Sequence, residues 1–430
     1  MGGAALFKTR LKRMLRSPTS QNLLALYGVQ AANYLFPLLT LPFLARVLGP
    51  EGWGLLAIAQ SFAQYLSLLI EYGFTLSATR AVAQHRTDRG RLAELLFGVT
   101  GARLVLAFGA VLLTLAVAPW IPGLNQAPLL LWSGVFWAIA TGFSPLWYFQ
   151  GQERLRWVAG LEILTKAVAL LLIFALVRTP QDAWKVLALQ GLASALASGV
   201  ALYLAYREVG FGRPGVHQIG EALRSGWGMF FFRGAVSLYT VGNVFILGLF
   251  VPPQLVAFYA GAERLTKAFL SLLEPLSRTF FPRLSYLVRR SPRDAARLSG
   301  RITLVMGLGG VVGALLVAWL APWLVALLLG EGYEGAVPVM RILVLLLPMI
   351  ALSNALGIQW MLALGMDVPF NRVILWAGLL NLGLALLLVP RFAHFGMAYA
   401  VVLVEVFVTV GMFFYLLRAG KSPWQLRGFQ

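Results

Sequence analysis

The chain has 430 residues, of which 59% are hydrophobic and only 12% are charged, and its mean hydropathy is +0.79. This composition excludes an ordinary soluble globular protein, in which roughly a quarter of the residues carry charge, and it indicates an integral membrane protein. The net charge is +19 and cysteine is absent, so disulfides and a Cys/His zinc site are excluded. We expect no metal and no cofactor.

Apolar runs of about 20 residues, the length that crosses a bilayer, predict an all-α fold with about twelve transmembrane helices. In chain order they cover approximately residues 20–44, 53–75, 95–118, 127–149, 157–177, 184–206, 227–250, 254–280, 301–328, 336–363, 370–390 and 395–417. The first run has no small-residue cleavage site after it, so we interpret it as a retained helix and not as a signal peptide.

The basic residues are distributed unevenly around these predicted helices. Of the 35 Lys and Arg, 25 lie at the termini or in the loops after even-numbered helices, whereas four lie in the opposite loops. Cytoplasmic loops of membrane proteins carry such an excess. Both termini are therefore predicted to be cytoplasmic, and the basic balance requires no nucleic acid.

A weakly apolar segment at residues 207–226 divides the predicted helices six and six. We expect an N-terminal lobe at residues 1–206, a cytoplasmic linker at 207–226, and a C-terminal lobe with a short tail at 227–430. The segments that begin at Pro50 and Pro252 have a similar layout, which favours parallel repeats related by an axis along the membrane normal.

The first, second and seventh predicted helices carry polar residues among apolar ones. In the second helix they follow spacings of four, three and four, which places them on one side; they are Gln60, Gln64, Ser67 and Glu71. Asn33 and Asn243 add amides in the first and seventh helices. Such amides can simply join helices, but their corresponding positions in two halves favour a central polar cleft.

The eighth predicted helix carries Arg264 and Lys267 deep in its span. A charge near the bilayer centre costs at least about 2.5 kcal/mol on insertion scales, so we expect these side chains to face a polar interior. The alternative is an ion pair with Glu263 or Glu274 that only fixes helix packing.

Charged residues in four of the other predicted helices are further candidates. Glu162 and Lys166 in the fifth helix are spaced to form an i,i+4 ion pair; they either neutralise each other, or Lys166 meets an anionic substrate and Glu162 carries a coupling proton. Arg103 is expected to extend to the headgroups, and Arg233 either does the same or binds substrate. Glu405 is either structural or a proton carrier.

Motifs of enzymes are missing from the sequence. There is no G-x-x-x-x-G-K-[ST] segment for nucleotide phosphates and no H-E-x-x-H segment for zinc. The predicted loops are too short for a soluble nucleotide-binding domain. We therefore expect a transporter and not an enzyme.

Three segments resemble bacterial polysaccharide exporters, the family that includes O-antigen flippases. The first, Leu41–Arg86, contains R-V-L-G-P-E-G-W-G followed by Y-G-F and A-T-R; the others are PLWYFQGQER from Pro145 and LGEGYEGAVPVMRIL from Leu329. The resemblance implies two helical lobes similar to multidrug and toxic compound extrusion proteins. It also implies movement of undecaprenyl-pyrophosphate-linked oligosaccharide from the cytoplasmic to the periplasmic leaflet of the bacterial inner membrane.

On this interpretation the substrate meets basic, amide and aromatic side chains in a cleft. The predicted substrate-binding residues are Arg264, Lys267, Arg233, Lys166, Gln60, Gln64, Asn33 and Asn243, with Trp147 and Tyr148 as aromatics. The predicted ion-coupling residues are Glu71, Glu162 and Glu405. The expected partners are the lipid-linked oligosaccharide, membrane lipids, a polysaccharide polymerase and chain-length proteins.

Other functions stay open at this point. A drug or cation exporter of similar fold would need acidic residues in its cleft, whereas the deep charge of the eighth helix is more basic than acidic. A lipid II flippase is a close relative that usually has two further C-terminal helices. A membrane-bound glycosyltransferase or polymerase would normally have a long loop with catalytic carboxylates, and none is visible.

Overall fold

The computed structural model describes the backbone of residues 18–425 and their side chains, except those of 18–27, 31, 34, 232, 235, 238–240 and 274–278. Within residues 18–425 all regular secondary structure is helical and no strand occurs. The all-α fold class expected from the apolar sequence is therefore confirmed.

Fifteen α-helices form the described part of the chain. They are α1 (Pro18–Glu71), α2 (Phe74–Gln84), α3 (Arg89–Val117), α4 (Pro128–Gly142), α5 (Leu146–Gly151), α6 (Leu155–Leu176), α7 (Ala183–Val209), α8 (Val216–Thr240), α9 (Asn243–Gly248), α10 (Pro253–Leu270), α11 (Glu274–Arg290), α12 (Pro292–Leu328), α13 (Ala336–Leu343), α14 (Leu346–Ser353) and α15 (Asp367–Arg418). A π-helix, Asn354–Met361, follows α14, and 3-10 turns lie at Ala118–Trp120, Pro180–Asp182 and Ser271–Leu273.

Local sequence explains several helix ends. Pro128, Pro253 and Pro292 occupy first helical positions, where the missing N–H has no intrahelical partner to lose. The carboxylate of Asp88 accepts a hydrogen bond from the Arg91 backbone N–H at 3.0 Å and so caps α3. Two residues, Tyr72 and the glycine that follows it, lie between the end of α1 and the start of α2.

That glycine, Gly73, is needed for two reasons. Its φ of +77° lies in the left-handed region, which side chains disfavour. A Cβ there would also lie 2.7 Å from the Met229 Cβ. The break between α1 and α2 therefore depends on glycine both for its backbone conformation and for its packing.

The described chain forms two compact units. The first contains the described residues up to Leu48 together with Ala59–Gly234, and the second contains Gly49–Ile58 and the chain from Ala235 onward. Only residues 210–215 of the predicted linker lack helical backbone, because α7 ends at Val209 and α8 begins at Val216. The division into lobes at residues 207–226 stays a prediction.

Eight helical stretches of the described residues are long and apolar enough to cross a membrane. Two of them, Gly28–Gln84 and Asp367–Arg418, have 57 and 52 residues, far more than the roughly 20 that one crossing needs. Non-helical dihedral angles interrupt them at Gly49 and Ala393. The predicted number of twelve crossings therefore stays a prediction.

Each unit has its own hydrophobic core. In the first unit Phe74, Trp147 and Tyr148 are buried in one cluster, and in the second Trp360 and Met361 are buried in another. Large apolar side chains also cover the outer surface, which fits a protein whose solvent is lipid.

A polar cavity and paired charges as the candidate functional site

The first unit contains a cavity of about 400 Å³ between α1, α4, α6 and α7. Five of the predicted site residues line it: Asn33, Gln60, Gln64, Glu162 and Lys166. The other six predicted site residues do not line this cavity; they are Arg233, Glu71, Arg264, Lys267, Asn243 and Glu405.

Helix periodicity explains why these side chains reach one space. Gln60 and Gln64 in α1, and Glu162 and Lys166 in α6, are each four residues apart and so project from the same side of their helix. On α6 the intervening Leu164 is 60% exposed at the outer surface. Glu162 and Lys166 thus face the cavity, whereas Leu164 faces outward.

The charges in the cavity wall are paired. The Lys166 Nζ lies 2.6 Å from the Glu162 carboxylate and donates to the Asn33 Oδ1, also at 2.6 Å. The structure shows the ion pair expected from their i,i+4 spacing, and the roles of Lys166 and Glu162 toward substrate and coupling ion stay predictions. The side chains are 28% and 19% exposed, respectively, so both are partly shielded from solvent.

The sequence analysis missed part of the wall. Gln190, Ser194 and Ser198 of α7 line the cavity together with Thr141 of α4. Their spacing of four residues along α7 is the same signal that drew attention to Gln60 and Gln64. Serine and glutamine are uncharged, so hydropathy distinguishes them from the surrounding apolar residues less sharply than it does Lys or Glu.

The hydroxyl groups and amides of the wall differ in how they are bonded. The Ser198 Oγ donates to the Ala140 carbonyl at 3.0 Å, and the Thr141 Oγ1 lies 3.4 Å from the Ser194 Oγ. Within the described residues the side-chain amides of Gln64 and Gln190 have no hydrogen-bond partner. The cavity therefore presents two amide groups that lack a partner among the described side chains.

A second charged group of the first unit lies at the end of α1. The Glu71 carboxylate accepts hydrogen bonds from the Thr75 hydroxyl and from the Arg233 guanidinium. This pair sits beside the helix break at Tyr72 and Gly73. The structure thus connects Arg233 with one of the predicted ion-coupling carboxylates.

Two interpretations of individual residues in the first unit were wrong. Arg103 does not extend to the headgroups: it is 2% exposed, and its Nη1 donates to the Ser144 carbonyl at 2.9 Å. Trp147 and Tyr148 do not line a cleft but are 1% and 0% exposed in the hydrophobic core. In each case tertiary packing offered a partner that sequence position alone does not reveal.

In the second unit, α10 carries the two cations predicted to bind an anion. The Lys267 Nζ lies 3.1 Å from the Glu263 carboxylate, which also accepts from the Tyr259 hydroxyl at 3.3 Å. The Arg264 guanidinium lies 5.1 Å from the centre of the Trp53 ring, within cation–π range. The ion pair with Glu263 that was considered as the alternative is therefore present for Lys267. Glu274, the other partner considered, lies outside the described side chains.

Asn243 and Glu405, also in the second unit, each have a neutral partner. The Asn381 amide donates to the Asn243 Oδ1 at 2.8 Å, and the Ser353 hydroxyl donates to the Glu405 Oε1 at 2.6 Å. Ser353 directly precedes the π-helix, a form that is frequent at functional sites. Of the three candidate coupling carboxylates, Glu405 is the one bonded to a hydroxyl and not to a cation in the described part of the chain.

Among the side chains that the structure describes, no group of three or more His, Asp or Glu could hold a metal ion.

The fold is shared with solved structures of membrane proteins. It is similar to the lipid II flippase MurJ in an inward closed conformation, with a TM-score of 0.68 and 12% identity over 92% of this chain and 87% of that one. It is also similar to an outward-facing multidrug resistance MATE family transporter of the MOP superfamily, with a TM-score of 0.55 and 14% identity over 96% and 98% of the two chains. These neighbours are a flippase and a transporter, not enzymes.

Sequence comparison gives the family. The family described as polysaccharide biosynthesis protein matches residues 19–288. A relative from Escherichia coli strain K12, named "Putative O-antigen transporter", is 31% identical over 392 residues, which are 90% of this chain and 94% of the relative. A relative of the same name from Shigella dysenteriae is 28% identical over 404 residues, or 91% and 98% of the two chains. The chain belongs to the polysaccharide biosynthesis protein family.

Proposed function

We propose that the protein is a flippase that moves undecaprenyl-pyrophosphate-linked oligosaccharide from the cytoplasmic to the periplasmic leaflet of a bacterial inner membrane. Access to the substrate alternates between the two faces of the membrane, and an ion gradient drives the cycle. The relatives named as O-antigen transporters support this substrate class. A polysaccharide polymerase and chain-length proteins are the partners that the proposal implies.

The polar cavity of the first unit is the observation that carries the proposal. Polar groups are costly inside a membrane unless they have partners, yet this wall presents amides, hydroxyls and an ion pair to a space of about 400 Å³. That volume falls within the usual range of ligand pockets. A lipid-linked oligosaccharide needs a polar cavity of this kind, because its hydroxyl groups cannot cross the hydrocarbon core unaided.

For the diphosphate we propose Arg264 and Lys267 as the binding residues. They are one helical turn apart on α10, and charge-assisted hydrogen bonds from two cations to one anion are roughly twice as strong as neutral ones. The Glu263 carboxylate beside Lys267 holds that ammonium in place before substrate arrives. Arg264 supplies a second positive charge on the same helix, so the anion can bind there while Lys267 keeps its ion pair with Glu263.

For ion coupling we propose Glu405 as the leading candidate among Glu71, Glu162 and Glu405. Protonation of Glu71 or Glu162 would strand the cation bonded to it. Protonation of Glu405 would leave no cation without a partner and would alter only its hydrogen bond with Ser353. A carboxyl group with a neutral partner can therefore exchange a cation or a proton at lower cost.

Deletion and complementation in cells test the proposed function. Cells that lack the protein should accumulate lipid-linked oligosaccharide in the cytoplasmic leaflet and lose surface polysaccharide, and the intact gene should restore both. Unchanged surface polysaccharide in the deletion strain, without a second transporter of the family, would contradict the proposal.

A further inference from the structure

We infer that the cavity of the first unit is a subsite for the uncharged saccharide part of the ligand and not for its diphosphate. The inference rests on the proposed function, because it assigns one chemical part of that substrate to one cavity. It changes the role that the sequence suggested for Lys166, which was considered as a contact for an anion.

The charge of the described cavity wall sums to zero. Glu162 and Lys166 are the ionisable side chains among its described residues, and they lie 2.6 Å apart. The ammonium group of Lys166 also donates to Asn33, so two of its three hydrogens are already used. Little positive charge is left to attract a phosphate.

An anion could bind the ammonium group of Lys166 only if the ion pair between Lys166 and Glu162 were broken. The Glu162 carboxylate would then lose its partner and stand beside a second negative group, in surroundings that screen charge less than bulk water does. An organic cation is disfavoured for the converse reason, because the place beside Glu162 is already held by Lys166. A neutral ligand leaves the pair intact.

The remaining groups match the chemistry of a sugar. Each free amide, on Gln64 and Gln190, offers two donors and one acceptor, which suits hydroxyl groups that both donate and accept. Trp137 and Phe36 also line the cavity and provide flat apolar surface for the C–H faces of a pyranose ring. A purely apolar ligand would leave the amides desolvated and unpaired, which is costly.

Binding to a matched pair of lipids tests this assignment. The probes are undecaprenyl diphosphate and the same lipid carrying the oligosaccharide repeat unit, extracted from the host cells, and Kd is measured for the purified protein in nanodiscs. The variants are Gln64→Leu and Gln190→Leu, which keep side-chain volume but remove the amide. Gln84→Leu, an exposed position at the end of α2 outside the cavity, is the matched control.

We expect each cavity variant to weaken binding of the sugar-bearing lipid about three- to tenfold, as loss of one or two neutral hydrogen bonds would. Binding of undecaprenyl diphosphate should not change, and the control should resemble the wild type with both lipids. The readout is the ratio of the two Kd values within one preparation, which partial unfolding of a variant does not alter.

Two results would overturn the assignment while leaving the proposed function in place. One is an equal loss of affinity for both lipids, which would place the diphosphate or the lipid chain in the cavity. The other is wild-type binding of the sugar-bearing lipid that neither glutamine variant changes. If the wild type binds no sugar-bearing lipid at all, the proposed function fails together with the subsite.

Discussion

The ion pair in the cavity wall leads to a prediction about stability. In the Lys166→Met variant the side chain keeps its length but loses its charge, and both the Glu162 carboxylate and the Asn33 Oδ1 lose a donor at 2.6 Å. The second variant, Glu162→Gln with Lys166→Met, removes both charges. If the pair serves to neutralise the cavity, the single variant should be less stable than the double one.

The exposure of the pair sets the magnitude. An ion pair on the surface contributes about 0–1 kcal/mol, whereas removal of one partner from a fully buried pair costs about 3–5 kcal/mol. Lys166 and Glu162 are 28% and 19% exposed, so we expect an intermediate cost of about 2 kcal/mol for Lys166→Met. The double variant should return to within about 1 kcal/mol of the wild type.

Unfolding by titration with SDS in mixed micelles measures this double-mutant cycle. Arg91→Met is a suitable control, because Arg91 pairs with Glu94 at 2.6 Å but both side chains are more than 40% exposed; it should change the free energy of unfolding by less than about 0.5 kcal/mol. Equal costs for the cavity and control substitutions, or a double variant no more stable than Lys166→Met, would refute the reasoning.

Three further predictions concern orientation, binding and coupling. A cysteine introduced at Ser291, in a chain that has none of its own, should react with a membrane-impermeant reagent only after the cells are opened; labelling from the periplasm would reverse the predicted topology. The Arg264→Ala, Lys267→Ala double variant should fold but lose at least about 90% of transport, since two charge-assisted contacts are removed; wild-type transport would exclude both residues as the diphosphate site. Glu405→Gln should abolish the stimulation of transport by an imposed proton or sodium gradient, and an undiminished response would assign coupling to another carboxylate.

Much of the fold follows from hydrophobicity. Apolar runs identified the helical segments, because a chain in lipid must satisfy its backbone hydrogen bonds internally. They also ended on either side of Gly49 and Ala393, at residues 44 and 53 and at residues 390 and 395, where the backbone departs from helical angles. The predicted linker at residues 207–226 includes the start of α8 at Val216, since weak hydropathy does not distinguish an amphipathic helix from a loop; the division into lobes there stays a prediction.

The cavity could be predicted only in part. Polar spacing in α1 and charge in α6 pointed to Gln60, Gln64, Glu162 and Lys166, which do line one space. Which helices would contribute the rest depends on packing between segments distant in sequence, so α7 was missed. The same limit explains Arg103, whose acceptor on Ser144 lies 41 residues away.

Reconstitution of the purified protein tests the central claim most directly. Sugar-bearing undecaprenyl diphosphate is placed in the inner leaflet of proteoliposomes, and its arrival in the outer leaflet is followed with an impermeant lectin. The account predicts that the wild type moves this lipid faster than protein-free liposomes do, and that Gln84→Leu matches the wild type whereas Gln64→Leu with Gln190→Leu is slower. The account would be contradicted if well-folded wild-type protein, under an imposed ion gradient, moved the lipid no faster than protein-free liposomes do.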